Sequence, residues 1–560
     1  MTAPKPAPPN ELLPNNVRWT CPRGWVAAGT FSSPEPTALW GQSRVLEALD
    51  LLAFGGGGRP VGLDLVSPGH PGEARAVADA LSTRLPGRVE LLATPSEFAL
   101  RGRGAPGLLA DPDIDAVVLD VGSLVGNEVS WLPLREALLH GSVSETPGED
   151  ETFAPSHPAR ARVVLVGRDA DRKRLREKTT SLDACLAERV AFTPDLPRDR
   201  GGVAVVASRL RAEAEACGLG DLSDGALAFL VEQNAGRPAR RNRVALRTDR
   251  LLRAVLGARR HEPEGSLSAR AVRQGWRELA RRGDVQETGH RARIRERQLA
   301  VVTNGTQRGV VNGLMVYGSG DSSYCIPGRI TARVSVGREG VINIERESKY
   351  SGRSFDKGVF HLAAWLRGTF AGTTHPLGVA ASVAFEQSYG KVDGDSATLA
   401  ETLAVLSELA ELPVRQDVAV TGAITQKGEL LPIGSVNLKV RGWWESCRAH
   451  GPLTGAQGVL IPAVSAADLQ IDREVLTDIR AGRFHVWTAD RVEDAAELLL
   501  DTASGAGNPQ PNAQTVYGRA ASTLRRMSER LYPPRKAPTS SAQSSSKKTA
   551  NQKAPSVKGS

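Results

Sequence analysis

In the segment Ala381-Ser-Val-Ala-Phe-Glu-Gln-Ser-Tyr-Gly-Lys-Val-Asp-Gly-Asp-Ser-Ala-Thr-Leu-Ala-Glu, a turn of Asp and Gly delivers Ser396 to the start of a helix expected over 396–409. Its apolar positions follow at Leu399, Leu403 and Leu406. A serine there has two readings. Its hydroxyl caps the helix, or it is a nucleophile whose attack on a carbonyl is assisted by unpaired N–H groups of the first helical turn. The second reading needs a base. His361, His375, His450 and His485 have no catalytic signature around them, and His485, within Arg483-Phe-His-Val-Trp, reads as a strand residue. Lysine substitutes where desolvation disfavours its charged form. Lys439, in Leu431-Pro-Ile-Gly-Ser-Val-Asn-Leu-Lys-Val, has mostly uncharged neighbours, yet most helix lysines are merely solvated. Spacing alone leaves both residues open between chemistry and structure.

A second candidate lies near the N-terminus, where Ser67-Pro-Gly-His-Pro-Gly-Glu-Ala follows an apolar run and precedes a helix. Compared with the phosphate-binding pattern GxxxxGK[ST], it keeps Gly72. The first glycine is Ser67, the phosphate-binding lysine is Glu73 and the magnesium-binding hydroxyl is Ala74. A carboxylate at the lysine position repels phosphate. A plain glycine-containing turn from strand to helix remains the other reading. Further on, Val117-Val-Leu-Asp-Val offers Asp120 as a possible magnesium ligand and Val121 where a water-activating Glu would be needed.

The elements around these sites fall into blocks. Between residues 36 and 166, helices at 43–52 and 73–85 alternate with apolar runs at 61–66, 116–119 and 163–166, the pattern of a parallel sheet with crossover helices. Residues 202–280 read as helical throughout, with Ser223 and Ser268 as N-caps. Beyond residue 284, short Val/Ile-rich runs such as Ile330-Thr-Ala-Arg-Val-Ser-Val and Gly340-Val-Ile-Asn-Ile-Glu alternate with helices at 358–366 and 396–409, an α+β texture. The folded body is expected to end near Leu500, with one short helix over 512–531 and a disordered, basic Ser/Lys/Pro/Ala tail from Pro533.

With 560 residues, more than one core is required. A hydrophobic fraction of 41% and no long uncharged apolar stretch exclude a membrane-spanning chain, and no signal peptide is evident, so cytoplasmic residence is expected. Five scattered cysteines, none spaced as CxxC, argue against a disulfide framework or a zinc site and for reduced structural thiols. Of the net charge of +9, six come from Arg535, Lys536, Lys547, Lys548, Lys553 and Lys558 in the tail. Nucleic acid is therefore not expected as a partner of the folded body.

The motifs Phe385-Glu-Gln-Ser-Tyr-Gly, Asp393-Gly-Asp-Ser-Ala, Val420-Thr-Gly-Ala-Ile, Leu431-Pro-Ile-Gly and Val459-Leu-Ile-Pro follow one another in the order and spacing of the Lon proteolytic domain. With Val311-Asn-Gly-Leu and Ile330-Thr-Ala-Arg-Val upstream, the chain resembles that family over about residues 300–500. Trp40-Gly-Gln-Ser-Arg-Val-Leu-Glu-Ala-Leu and Ala105-Pro-Gly-Leu-Leu-Ala are similar to segments of Lon-like AAA+ modules. The resemblance, nearest to the LonC/LonB type, implies a Ser396 nucleophile and a Lys439 base. It also implies that Thr421 orients the lysine; Asp395 either tunes the nucleophile's surroundings or only shapes the turn. Ser435 and Leu438 depart from the family's lysine motif, where Gly and Glu are usual.

The expected architecture is multidomain: an N-terminal extension (1–34), a degenerate AAA+-like α/β domain (35–200), a helical lid (201–283), an α+β Lon-type proteolytic domain (284–500), and a linker helix with tail (501–560). The expected function is a Lon-like serine endopeptidase acting on unfolded polypeptides through a Ser-Lys dyad, with no metal or cofactor and without hydrolysing ATP. Its assembly is expected to be a homohexameric ring. The alternatives are an ATP-dependent Lon protease, in which ATP and magnesium are used, and a non-hydrolysing chaperone or scaffold.

Overall fold

The computed structural model describes residues 11–533 except 28, 56–60, 71, 148–153, 180–184, 187, 237–241, 319–322, 371–376, 389, 506–509 and 511–512. The expected tail beyond Pro533, residues 1–10 of the extension and His375 lie outside the described residues.

Five parallel strands form the first sheet: β1 (Gly62–Val66), β2 (Arg88–Leu92), β3 (Ile114–Asp120), β4 (Arg162–Gly167) and β5 (Glu188–Ala191), in the spatial order β2-β3-β4-β1-β5. Apolar residues on both faces of β3 and β4 are buried, as a parallel sheet covered by crossover helices requires. Helix α1 (Ser43–Phe54) precedes β1 and α2 (Glu73–Ser82) follows it. The latter ends three residues before the expected Leu85.

The next unit consists of helices α3 (Arg200–Ala216), α4 (Asp224–Ala235), α5 (Asp249–Arg259) and α6 (Ala269–Arg282). Ser223 and Ser268 accept the N–H groups of Ala226 and Ala271, the capping bonds expected of them. This stretch is not helical throughout, because Arg243–Ala245 forms a short strand that pairs with Asp195–Pro197. Helix α7 (Val285–Arg295) leads into the third unit.

That unit is a mixed seven-stranded sheet. Its strands are β6 (Val310–Tyr317), β7 (Tyr324–Val336), β8 (Gly340–Asn343), β9 (Val379–Phe385), β10 (Val418–Val420), β11 (Gly458–Pro462) and β12 (His485–Ala489), in the order β8-β9-β7-β6-β10-β11-β12. Helices α8 (Arg353–Phe370), α9 (Thr398–Ala410) and α10 (Val436–His450) pack on it. The folded body does not end near Leu500. After α11 (Val492–Leu500), α12 (Val516–Leu531) buries Val516, Tyr517, Ala520, Ala521 and Leu524 in the same core as α9 and the sheet. Apolar residues at this helical spacing are what drew the helix inward.

Candidate active site

The Asp-Gly-Asp turn before α9 is held from outside. The Asp393 carboxylate accepts the N–H groups of Ser354, Phe355 and Gly394 at 3.2, 3.3 and 2.8 Å, and these bonds pull its titration below the ordinary range. It thereby caps α8 and anchors the loop. Gly394 supplies the positive φ of 93° that the turn needs. The helix after the turn begins at Thr398, two residues later than expected, and its N-cap is Ala397. Ser396 therefore is not the cap.

The first-turn N–H groups proposed as donors are also partly spoken for. Thr398 N–H bonds Asp395 O at 3.0 Å and Leu399 N–H bonds Gly422 O at 2.9 Å. Among the described residues, the N–H groups of Ser396 and Ala397 have no protein acceptor.

The structure brings Ser396, Thr421 and Lys439 together from three elements. Thr421 follows β10, and Gly422 N–H donates to the Ser396 carbonyl at 2.8 Å. The Thr421 hydroxyl donates to the same carbonyl at 3.2 Å. From α10, the Lys439 Nζ reaches Ser396 Oγ at 2.8 Å and Thr421 Oγ1 at 2.9 Å. With its proton committed to the carbonyl, the threonine hydroxyl can only accept from the amine.

Lys439 is not a solvated helix lysine: it is 3% exposed, and Thr421 is fully buried. Helix α10 buries it along with Val436, Val440, Trp443 and Cys447, residues three or four apart on one face. Burial pulls its titration from 10.5 down to about 8. Cys325 and Asp395 oppose that shift. Burial also pushes the Cys325 thiol up to about 12, so it is neutral in the range where the lysine titrates. Asp395 is then the anion that acts on Lys439. Cys325 went unnoticed in the sequence because only folding brings β7 against α10.

Other expectations fare differently. His361 Nδ1 faces Ile424 O at 2.8 Å, and His485, on β12, contacts Glu11 and Gly455 O. Neither reaches Ser396. Four cysteines are buried, whereas Cys217 is exposed and so is not a core thiol.

At the N-terminal loop, Ser67 and Gly72 do stand between β1 and α2, with Gly72 at φ 87°, and Glu73 and Ala74 open α2. Glu73 does more than repel. Its carboxylate folds into the loop, accepting the Ser67 hydroxyl and, at 3.0 Å, the His70 N–H. Burial raises its titration while these donors lower it. Asp120 accepts Gly122 N–H at 2.6 Å as the cap of a short helix, and Val121 is buried.

The fold and the site define a class. Residues 387–501 match the Lon protease (S16) C-terminal proteolytic domain. It is 33% identical over 242 residues to a Lon protease homologue of Escherichia coli K12, covering 43% of this chain and 41% of that one. A Haemophilus influenzae Lon protease homologue is 36% identical over 224 residues, 40% of this chain and 37% of the relative. An archaeal Lon protease of Pyrococcus abyssi is 29% identical over 259 residues, 41% of this chain and 22% of its own. The chain thus matches between 22% and 41% of the length of these relatives.

Proposed function

We propose that the chain is a serine endopeptidase that cleaves unstructured polypeptides with Ser396 as nucleophile and Lys439 as base, and that it does so without hydrolysing ATP. The observation that carries the reading is the buried lysine amine 2.8 Å from the serine hydroxyl, with burial pulling the amine's titration down to about 8. Neutral Lys439 takes the Ser396 proton as Oγ attacks the peptide carbonyl. The tetrahedral oxyanion is offered the free N–H groups of Ser396 and Ala397. The lysine then protonates the leaving amine, giving the acyl-enzyme, and later deprotonates the water that releases the second product.

Support for ATP independence comes from the N-terminal loop. Glu73 occupies the loop's own donors with a carboxylate, in a place where a nucleotide-binding loop would offer them to phosphate. Arg168 packs over Gly69, and Ala74 and Val121 supply no ligand or base. In this reading residues 35–283 are a degenerate AAA+-like module with a helical lid, which packs subunits into a hexameric ring and admits substrate. The five-stranded parallel sheet and the helices after it are compatible with that assignment. No helix among the described residues is long and apolar enough to cross a membrane, and we place the protein in the cytoplasm.

The test is casein cleavage by wild type, Ser396→Ala and Lys439→Met, with folding followed by circular dichroism. Wild type should cleave and both folded variants should be inactive. Wild-type turnover by either variant would refute the dyad, and an inactive wild type would favour a scaffold.

A further inference from the structure

The N-terminal segment runs from the edge of the C-terminal sheet to the helical unit. Leu12 N–H bonds Val486 O on β12 at 2.9 Å, and Ile471 N–H bonds Val17 O at 3.1 Å. Val17 is fully buried in the core cluster that also holds the buried face of α10, while Cys21 and Val26 enter the core of the helical unit. Where the three meet stands Glu232 of α4, 1% exposed. One of its oxygens pairs with Arg18 at 2.7 Å and Arg473 at 2.9 Å, and the other accepts Cys21 N–H at 3.1 Å. Arg18 also donates to Ile471 O at 2.5 Å. Beside it, the Gln470 side chain pairs with Trp19 as a peptide group would, through its N–H and its carbonyl, each at 3.0 Å.

This junction reaches the lysine helix by one more bond. Gln470 N–H donates to Asn437 Oδ1 at 2.6 Å, and Asn437 Nδ2 donates to Asp468 O at 3.0 Å. Asn437 lies in the first turn of α10, two residues before Lys439. A cavity of about 750 Å³ opens there between the helical unit and the sheet domain, and its walls include Ser435, Leu438, Arg253 and Trp276.

We infer that residues 11–27 clamp the helical unit to the sheet domain and that Glu232, Gln470 and Asn437 are positioning residues, fixing the first turn of α10 and so the reach of Lys439 to Ser396. The inference rests on the dyad proposed above. A lysine that must meet two hydroxyls at once tolerates little drift, since a misplacement of about 1 Å can cost about a hundredfold in rate. Removing one partner of Glu232 leaves a buried charge unpaired, which loosens the junction where it touches the turn.

Asn437→Ala and Glu232→Gln in the full chain test it, read by peptide cleavage across pH with wild type and Ser396→Ala alongside. Cleavage by wild type but not Ser396→Ala keeps the dyad reading intact, so the positioning variants are judged separately from it. The expected result is a kcat lowered about tenfold with KM within about twofold. The midpoint of the rising limb should also move to higher pH as water reaches the amine. A role in stability alone would lower the melting temperature and leave the midpoint where it was. Should Glu232→Gln fail to fold, Asn437→Ala decides. A folded Asn437→Ala enzyme with wild-type kcat and midpoint would overturn the inference.

Discussion

Lys439 carries opposite consequences for activity and stability. As the proposed base it must be neutral, so kcat should fall about tenfold for each pH unit below its titration at about 8 and level off above it. A rate profile flat between pH 6 and 9 would contradict the assignment. For stability, the folded value near 8 lies below the ordinary 10.5, so the folded state releases a proton that the unfolded chain keeps. The penalty for holding the charged amine is full below pH 8 and is lifted as pH rises from there to 10.5. Lys439→Met should therefore stabilise the fold at pH 7, by up to about 3 kcal/mol in chemical denaturation, while removing activity. Thr421 makes a separable contribution. Thr421→Ser keeps the hydroxyl that orients the amine and should retain most activity, whereas Thr421→Val should lose roughly ten- to a hundredfold in kcat.

At the scale of elements, α10 shows both what could be read and what could not. Its family motif pointed to Lys439, because a run of matching residues is a local property of sequence, whereas spacing left the lysine open between chemistry and a solvated face. The departure at Ser435 had no local meaning. The structure puts Ser435 at φ 57°, the left-handed region that a glycine adopts freely, so Ser435→Gly should stabilise by about 1 kcal/mol in thermal melts without altering the dyad. Likewise the start of α9 was misjudged by two residues. The Asp-Gly-Asp run reads as a helix entry, and only the bonds from Asp393 to α8 show that the turn serves a second helix first. Gly358 of α8 lies against that turn, where a Cβ would overlap the Thr398 hydroxyl and approach Asp395 Cβ at 3.3 Å. Gly358→Ala should thus lower kcat by displacing Ser396, with little effect on any step before it.

Across the whole molecule, alternation of helices and apolar runs was enough to foresee a parallel sheet, and the change of texture after residue 284 foretold the second one. Long-range joins were not foreseeable. Helix α12 reads as a lone short helix beyond the folded body, yet its buried face completes the core beneath α9. The N-terminal segment reads as an extension, yet its Arg18 binds a carboxylate more than two hundred residues away. Such pairings depend on which surfaces the fold leaves open. The same joins bear on energy use, since a helical unit tied to the sheet domain by a buried ion-pair junction suits a protease that does not swing on nucleotide hydrolysis. Casein turnover and phosphate release, measured on wild type and Ser396→Ala with and without ATP and magnesium, test the central claim most directly. The account predicts that wild type cleaves at the same rate in both conditions, releases no phosphate, and loses all cleavage in Ser396→Ala. Cleavage that requires ATP, or that persists in Ser396→Ala, would contradict it.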